Sequence, residues 1–381
     1  MKDKYRWIGG SAIVVAAVLV LVAAVAGAPG RGDGSRTAGT RASGKTIEVA
    51  AGQSIQRALD RARPGDTVVV APGVFDENLT ILESNITLRG AGPTKGGTVL
   101  EPPATPHPSV CTEFGEVNGI CVTGYVDPKT REPGAPIRNV EVSGFLVTHF
   151  SRYGILLYNA FDLTVSENET SFNHRYGIGG YDLSGVRYLD NVSHDNVGGG
   201  LQIGDSPRAK AVLKGNRVYA NAGQGGIGIF LRDASHGVVR DNRVEGNCVG
   251  IAFVETGQPA PTGDWVTRDN TVRDNTLACP PPEEGGPPLS GFGIALLGTS
   301  SVDVTGNLVA GNHPTEETPV SGGILVVSSA SLGGADPAGN AVRENRVGNN
   351  EPADLVYDGS GTGNLFTRNS CATSIPDGLC G

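Results

Sequence analysis

The sequence predicts an all-β fold: a single-stranded right-handed parallel β-helix, a solenoid, with an N-terminal capping helix. Three observations predict it. Asparagines recur in pairs five residues apart, seven times in succession between residues 168 and 350. Short apolar strands, each led by glycine, alternate with those pairs. And 57 Gly against a single Met in 381 residues suits tight turns and short strands, because glycine weakens helix interiors.

Taken from the N-terminus, Lys2, Lys4 and Arg6 precede an apolar run from about Ile8 to Ala28. Ala24-Val25-Ala26 offers a small-x-small cleavage site, so residues 1–28 are expected to be a secretory signal peptide. The run also approaches the ~20 residues that span a bilayer, so an uncleaved membrane anchor is the alternative. Either way the bulk of the chain is expected outside the cytoplasm, secreted or anchored to the cell membrane, with no other membrane contact. Residues 29–45 form a Gly/Ser/Arg-rich linker, and residues 46–381 the β-helix domain.

A short strand is expected at Thr46 to Val49. Ser54 then caps a helix in which Ile55, Ala58, Leu59 and Ala62 share one face. Pro64-Gly65-Asp66 ends that helix before the strand Thr67 to Val70. A helix laid across the end of a solenoid covers its apolar bore and blocks edge pairing.

The rungs follow. The first asparagine column is Asn168, Asn191, Asn216, Asn242, Asn270, Asn307 and Asn345. The second is Asn173, Asn196, Asn221, Asn247, Asn275, Asn312 and Asn350. Asn at the corner of a rung can bond the amide of its neighbour about 4.8 Å along the axis, at a turn that it tolerates conformationally. Val165, Leu213, Val239, Val304 and Val342 precede the first column by three; Val218, Val244, Val272, Val309 and Val347 follow it by two, and both sets should fill the interior. Two insertions interrupt the rungs, near 280–290 and 328–339, where solenoid loops often flank a binding groove. The six cysteines fall into three local pairs, Cys111 with Cys121, Cys248 with Cys279 and Cys371 with Cys380, and disulfides suit an oxidising compartment.

Aligning the Gly-led strands exposes a column five residues after the glycine: Asn159, Asp182, Asp205, Asp233, Glu255, Gly298 and Ser328. Its four successive carboxylates would stand about 5 Å apart, a spacing that raises their pKa values unless something screens them. Three readings stay open. The carboxylates can occupy a solvated turn and bond backbone. Asp182, Asp205 and Asp233 can hold Ca²⁺, an oxygen-seeking cation and the one cofactor expected. Or they can serve as a catalytic pair with Arg232 and His194, since paired carboxylates cleave glycosidic bonds. Tyr158 and Tyr181 occupy equivalent outward positions one rung apart and offer a sugar-stacking surface, with Arg208 and Glu255 beside it. His174, Arg175 and His236 are further ionisable candidates. The net charge of −9 excludes a general nucleic-acid binder.

The stretch SIQRALDRARPGDTVVVAPGVFDENLTI resembles the N-terminal cap of secreted β-helix proteins of the pectate-lyase-like superfamily. The asparagine repeat is similar to that shared by pectate lyases, polygalacturonases, alginate epimerases and NosD proteins. With its cysteines and the phrase Pro-Ala-Asp-Leu at 352–355, the chain most resembles exported β-helix proteins of actinobacteria. Mannuronan epimerases carry Asp-Pro-His-Asp at a rung like the one from Tyr176 to Asp182, where this chain lacks the Pro-His; Ser235-His236-Gly237 is only a fragment of a polygalacturonase block. The resemblance implies a monomer that engages extracellular polysaccharide or cell-wall glycan along its lateral groove. A lyase, epimerase or hydrolase of uronic-acid glycans, or a non-catalytic structural or adhesion scaffold, are the alternatives. A NosD-like role in metal delivery would want clustered His or Met, which six scattered His and one Met do not supply.

Overall fold

The structure, a computed structural model, describes residues 44–94, 96–112, 116–127, 133–258, 262–281 and 287–381. The apolar run and most of the linker lie outside the described residues. Among the described residues no helix is long and apolar enough to cross a membrane.

The chain is a parallel β-helix with three walls per rung. One rung runs through strands Ile155–Phe161, Thr164–Ser166 and Glu169–Ser171, and the next begins at Tyr176–Ser184. Each strand pairs in parallel with its equivalent one rung on: Ile155 with Ile178, Val165 with Tyr188, Thr170 with Ser193. The Gly-led strands form the first wall, and the strands after them the second. The third wall holds ten strands among the described residues, from Gly73–Asp76 to Arg346–Gly348. Strand Ile227–Arg240 turns the corner without a break and serves both the first and second walls.

The side-chain alternation of a strand sends one set of residues inward on all three walls. Val165, Leu213, Val239, Val304, Val342, Val218, Val244, Val272, Val309 and Val347 join one continuous core with the isoleucines and leucines of the first wall. The expected interior is therefore the observed one.

The asparagines form two ladders along the axis. Asn168 donates its main-chain N–H and its Nδ2 to Asn191 Oδ1, at 3.1 and 3.2 Å. Asn173 does the same to Asn196, at 3.1 and 3.0 Å. The pattern repeats to Asn345, which donates to Asn369, and to Asn350. Each amide oxygen accepts twice, and Nδ2 also donates to a carbonyl, as Asn216 does to Tyr188 O at 2.9 Å. A buried amide so satisfied adds rigidity instead of a desolvation cost. Asn369 and a short run from Asn340 to Asn364 extend the pattern beyond the expected columns.

At the N-terminal side, Ser54 accepts from the Arg57 N–H at 3.2 Å and begins a helix, Ile55–Leu59. Glu77 accepts the N–H groups of Ile55 and Gln56 at 2.8 and 3.0 Å, which satisfies donors that a helix start leaves open. The apolar spacing extends to Ala62, but the helix stops at five residues; Ala62 is buried in the turn that follows. The disulfides join Cys111 to Cys121, Cys248 to Cys279 and Cys371 to Cys380, the expected pairing.

Candidate functional site

The column expected from the sequence is a corner of the helix. Asn159, Asp182, Asp205 and Asp233 turn the chain from the first wall to the second with φ of 48, 52, 45 and 49°. That left-handed conformation is open to Asn, Asp and Gly far more than to other residues, which explains the residue types before any chemistry does. Gly298, further along the column, has φ 67°.

The two ends of the column hold loops. Asn159 Nδ2 donates to the carbonyls of Tyr125, Gly134 and Ala135, at 3.3, 3.2 and 3.4 Å, and so pins the segment before it. Asp233, whose side chain is fully buried, accepts Thr256 N–H at 2.8 Å and Thr256 Oγ1 at 2.6 Å. Burial pushes its carboxyl up while the Thr256 bonds oppose the shift. Glu255 accepts from Gly257 N–H at 3.0 Å and from Thr262 N–H. Burial raises its carboxyl too, against the same backbone bonds. Asp233 and Glu255, expected in a catalytic and a substrate-binding role, thus bond the loop that follows Val254.

Between those ends, Asp182 and Asp205 keep their carboxylates at an open surface. Arg232 brings Nη2 to 3.1 Å from both oxygens of Asp205. Its Nε stands 3.4 Å from Asp233 Oδ2, an ion pair without a hydrogen bond. Desolvation, the largest single effect, would lower the guanidinium pKa, but the charges of Asp205, Tyr181 and Asp233 and the hydrogen bond to Asp205 together raise it. Asp182 makes no side-chain hydrogen bond or ion pair among the described residues, and burial alone pushes its carboxyl up. Half-buried Tyr158 lies in the field of both: burial, then Asp182 and Asp205, push its hydroxyl up.

The first wall forms the floor beside this corner. Tyr158 pairs in register with Tyr181, Tyr181 with Gly204, and Gly204 with Arg232. Tyr181 is not a free stacking surface as expected, because only 5% of it is exposed. Its ring occupies the space that Gly204 leaves: a Cβ there would stand 2.8 Å from the ring. The Tyr181 hydroxyl meets Tyr153 Oη at 2.8 Å and Gln202 Nε2 at 2.9 Å. Burial and the neighbouring Tyr181 hold the Tyr153 hydroxyl well above the ordinary phenol range. Tyr153 and Gln202 escaped the sequence reading; Gly179 and Gly204, small residues at strand positions, were the signal that rings needed the room.

Long loops bound this floor. On one side His107 N–H donates to Asn78 Oδ1 at 2.7 Å and Ser109 lies 2.9 Å from Thr80, which holds the segment 102–112 against the first wall. On the other, Leu289 from the 280–290 insertion and Val320 from the loop before strand Gly322–Val327 pack on the outward side chains Ala252, Phe292, Ala295 and Leu325. Four rungs, from Tyr158 to Arg232, lie between these two sets of loops.

The remaining candidates lie elsewhere. His194 sits on the third wall, with Nδ1 2.6 Å from Asp195 and Nε2 3.1 Å from Glu169, and its ring stacks on Tyr219. The structure therefore separates it from the carboxylates it was expected to assist. His174 and His236 are exposed corner residues, and Arg208 is exposed in the turn after strand Gly199–Ser206. Among the described residues no three His, Cys, Asp or Glu side chains stand together to hold a metal. Of Asp182, Asp205 and Asp233, the residues of the expected Ca²⁺ site, Asp205 is bonded by Arg232 and Asp233 by Thr256.

The family described as "Right handed beta helix region" matches residues 116–227 and 153–347. Among solved structures, the Azotobacter vinelandii mannuronan C-5 epimerase AlgE4 A-module aligns with 17% identity, covering 84% of this chain and 91% of that one, at a TM-score of 0.57. The periplasmic alginate epimerase AlgG aligns with 13% identity over 86% and 72%, at 0.48. The Dettilon tailspike protein gp208 aligns with 15% identity over 80% and 62%, at 0.47. At 17% identity the likeness to the AlgE4 A-module is one of fold. No curated protein matches the chain in sequence.

Proposed function

We propose, from the premise that this chain belongs to the right-handed β-helix family, that it engages an extended polysaccharide or cell-wall glycan along the first wall. One observation carries this reading. Tyr158, Asp182, Asp205 and Arg232 stand on four consecutive rungs between long loops, so hydroxyl, carboxylate and guanidinium groups repeat along one open surface. Sugar hydroxyls need such alternating donors and acceptors, and an extended chain can meet one rung after another. The mannuronan epimerase of the same fold offers a precedent for polysaccharide as the substrate class.

A catalytic reading is favoured by the contrast between Asp182 and Asp205. Asp205 is bonded by Arg232, whereas Asp182 has no such partner among the described residues and burial pushes its carboxyl up. Carboxyls in opposed environments divide the work of acid and base. Tyr158, with its hydroxyl pushed up, stays protonated and is suited to donating a hydrogen bond to a sugar oxygen. In this reading the chain is a hydrolase, lyase or epimerase, and Asp182 exchanges the proton.

The setting belongs to the same proposal. Three disulfides and an apolar N-terminal run suit export out of the cytoplasm, and the helix Ile55–Leu59 serves as the cap of the solenoid.

Affinity electrophoresis of residues 44–381 through gels containing galacturonan, alginate, arabinan, β-glucan or solubilised peptidoglycan tests binding. Asp182→Asn should abolish any turnover, read as reducing ends or unsaturated products, while retardation by the glycan persists. A chain retarded by none of these polymers would sink the reading.

A further inference from the structure

We infer that the third wall carries a second binding surface, an arginine stripe that takes an extended polyanionic glycan. It stands on other residues than the first-wall site and does not depend on it.

Two outward columns make up this face. In one, Arg217 pairs in register with Arg243, then Thr271, Leu308 and Arg346 follow rung by rung. In the other, Tyr219 is followed by Glu245 and Arg273. Arg217, Arg243 and Arg273 are 56, 49 and 41% exposed, and all three lean on the single carboxylate of Glu245, at 3.9, 2.8 and 3.1 Å. Arg217 also lies over the Tyr219 ring, 4.6 Å from its centroid. Arg346 is exposed and makes no ion pair among the described residues.

Register places Arg217 and Arg243 about 4.8 Å apart at the backbone. Like charges so close are unfavourable, and one glutamate cannot neutralise three guanidinium groups. The corner carboxylates do not make up the difference. Asp241 and Asp269 are taken by Arg240 and Arg268, at 2.8 and 2.5 Å; Asp274 approaches the stripe, 3.7 Å from Arg273 Nε, and Glu169 and Asp195 reach its Tyr219 end but bond His194. Within the two columns four guanidinium groups thus face Glu245 and Asp274, on a chain whose formal net charge is −9.

The occupant follows from charge and direction. Guanidinium forks match carboxylate oxygens in pairs. The stripe runs along the axis, so successive arginines meet successive acidic units of one linear chain, which a compact anion could not span.

Biolayer interferometry on immobilised polygalacturonate tests this. Arg217→Ala/Arg243→Ala should weaken binding about tenfold, and Arg346→Glu several-fold, with wild-type circular dichroism in both. Arg187→Ala, which removes an exposed arginine from the second wall, should bind as wild type, and raised salt should weaken the interaction steeply. Wild-type affinity in the arginine variants overturns the stripe. A loss in Arg187→Ala equal to that in Arg217→Ala/Arg243→Ala also overturns it, since positive charge on any wall would then suffice. Binding to phosphatidylglycerol vesicles without binding to polygalacturonate overturns it as well.

Discussion

Asp354 accepts the main-chain N–H and the Nδ2 of Asn350, at 3.2 and 3.0 Å, and so takes the place that a further asparagine would hold in the second ladder. Its other oxygen accepts from the N–H groups of Ala372 and Thr373, at 2.9 and 3.3 Å. An ionised carboxylate only accepts, so it ends a ladder that each asparagine would otherwise pass on. The Pro-Ala-Asp-Leu phrase is the terminator of the scaffold.

Burial would raise the Asp354 carboxyl, but the hydrogen bonds from Ala372, Asn350 and Thr373 win and hold it below the usual range. A depressed carboxyl stabilises the fold above its ordinary pKa, about 3.9, and that contribution is lost as pH falls through the folded value. Asp354→Asn should therefore lose about 1–3 kcal/mol at pH 7, and the gap to wild type should narrow at pH 3. Urea melts at the two pH values measure it. An equal gap at both would remove the carboxylate from the explanation.

Asn242 tests the ladder itself. It accepts Asn216 N–H and Nδ2, both at 2.9 Å, and donates to Asn270 Oδ1 at 3.0 Å and Leu213 O at 2.9 Å. Asn242→Ala leaves buried donors and acceptors without partners and should destabilise by about 3 kcal/mol or more. A chemical denaturation midpoint close to wild type would show that the ladder adds little to stability.

Asp182 should separate stability from function. Its carboxyl is raised by burial, so the ionised form is disfavoured in the folded chain. The sign is opposite to that of Asp354: stability is present at low pH and lost as pH rises through the folded value. Asp182→Asn should raise Tm at pH 7, with the gain vanishing below pH about 4, and remove turnover of glycan. A lower Tm at neutral pH would mean that the charge is stabilised by partners the structure does not show.

Gly204 makes room for Tyr181. A Cβ at that position would stand 2.8 and 3.0 Å from two ring carbons. Gly204→Ala should displace the ring from Tyr153 and Gln202, cost about 1–3 kcal/mol and change the near-ultraviolet circular dichroism of the tyrosines. Glycan retardation should fall with it. Unchanged spectra and retardation together would show that the floor tolerates the methyl.

Much of this was legible in the amino-acid order. The paired asparagines, the valines on either side of them and the three cysteine pairs all occupy the places that their spacing predicts. The acidic column was legible as a register but not as a division of labour. Asp182, Asp205, Asp233 and Glu255 look alike in sequence, yet one lacks a partner, one holds Arg232 and two hold loops. His194 lies near Asp182 in sequence, and the corner at Asp190 puts it on another wall.

The sequence by itself determined the scaffold: a periodic fold repeats one local solution, so each rung announces the next through residues a fixed distance apart. Only the tertiary structure decided the site, because partners come from insertions and neighbouring rungs that no spacing encodes. Thr256 reaches Asp233, Arg232 reaches back to Asp205, and Tyr181 turns down onto Gly204. Those contacts leave Asp182 and Asp205 at the open surface and take Asp233 and Glu255 out of it.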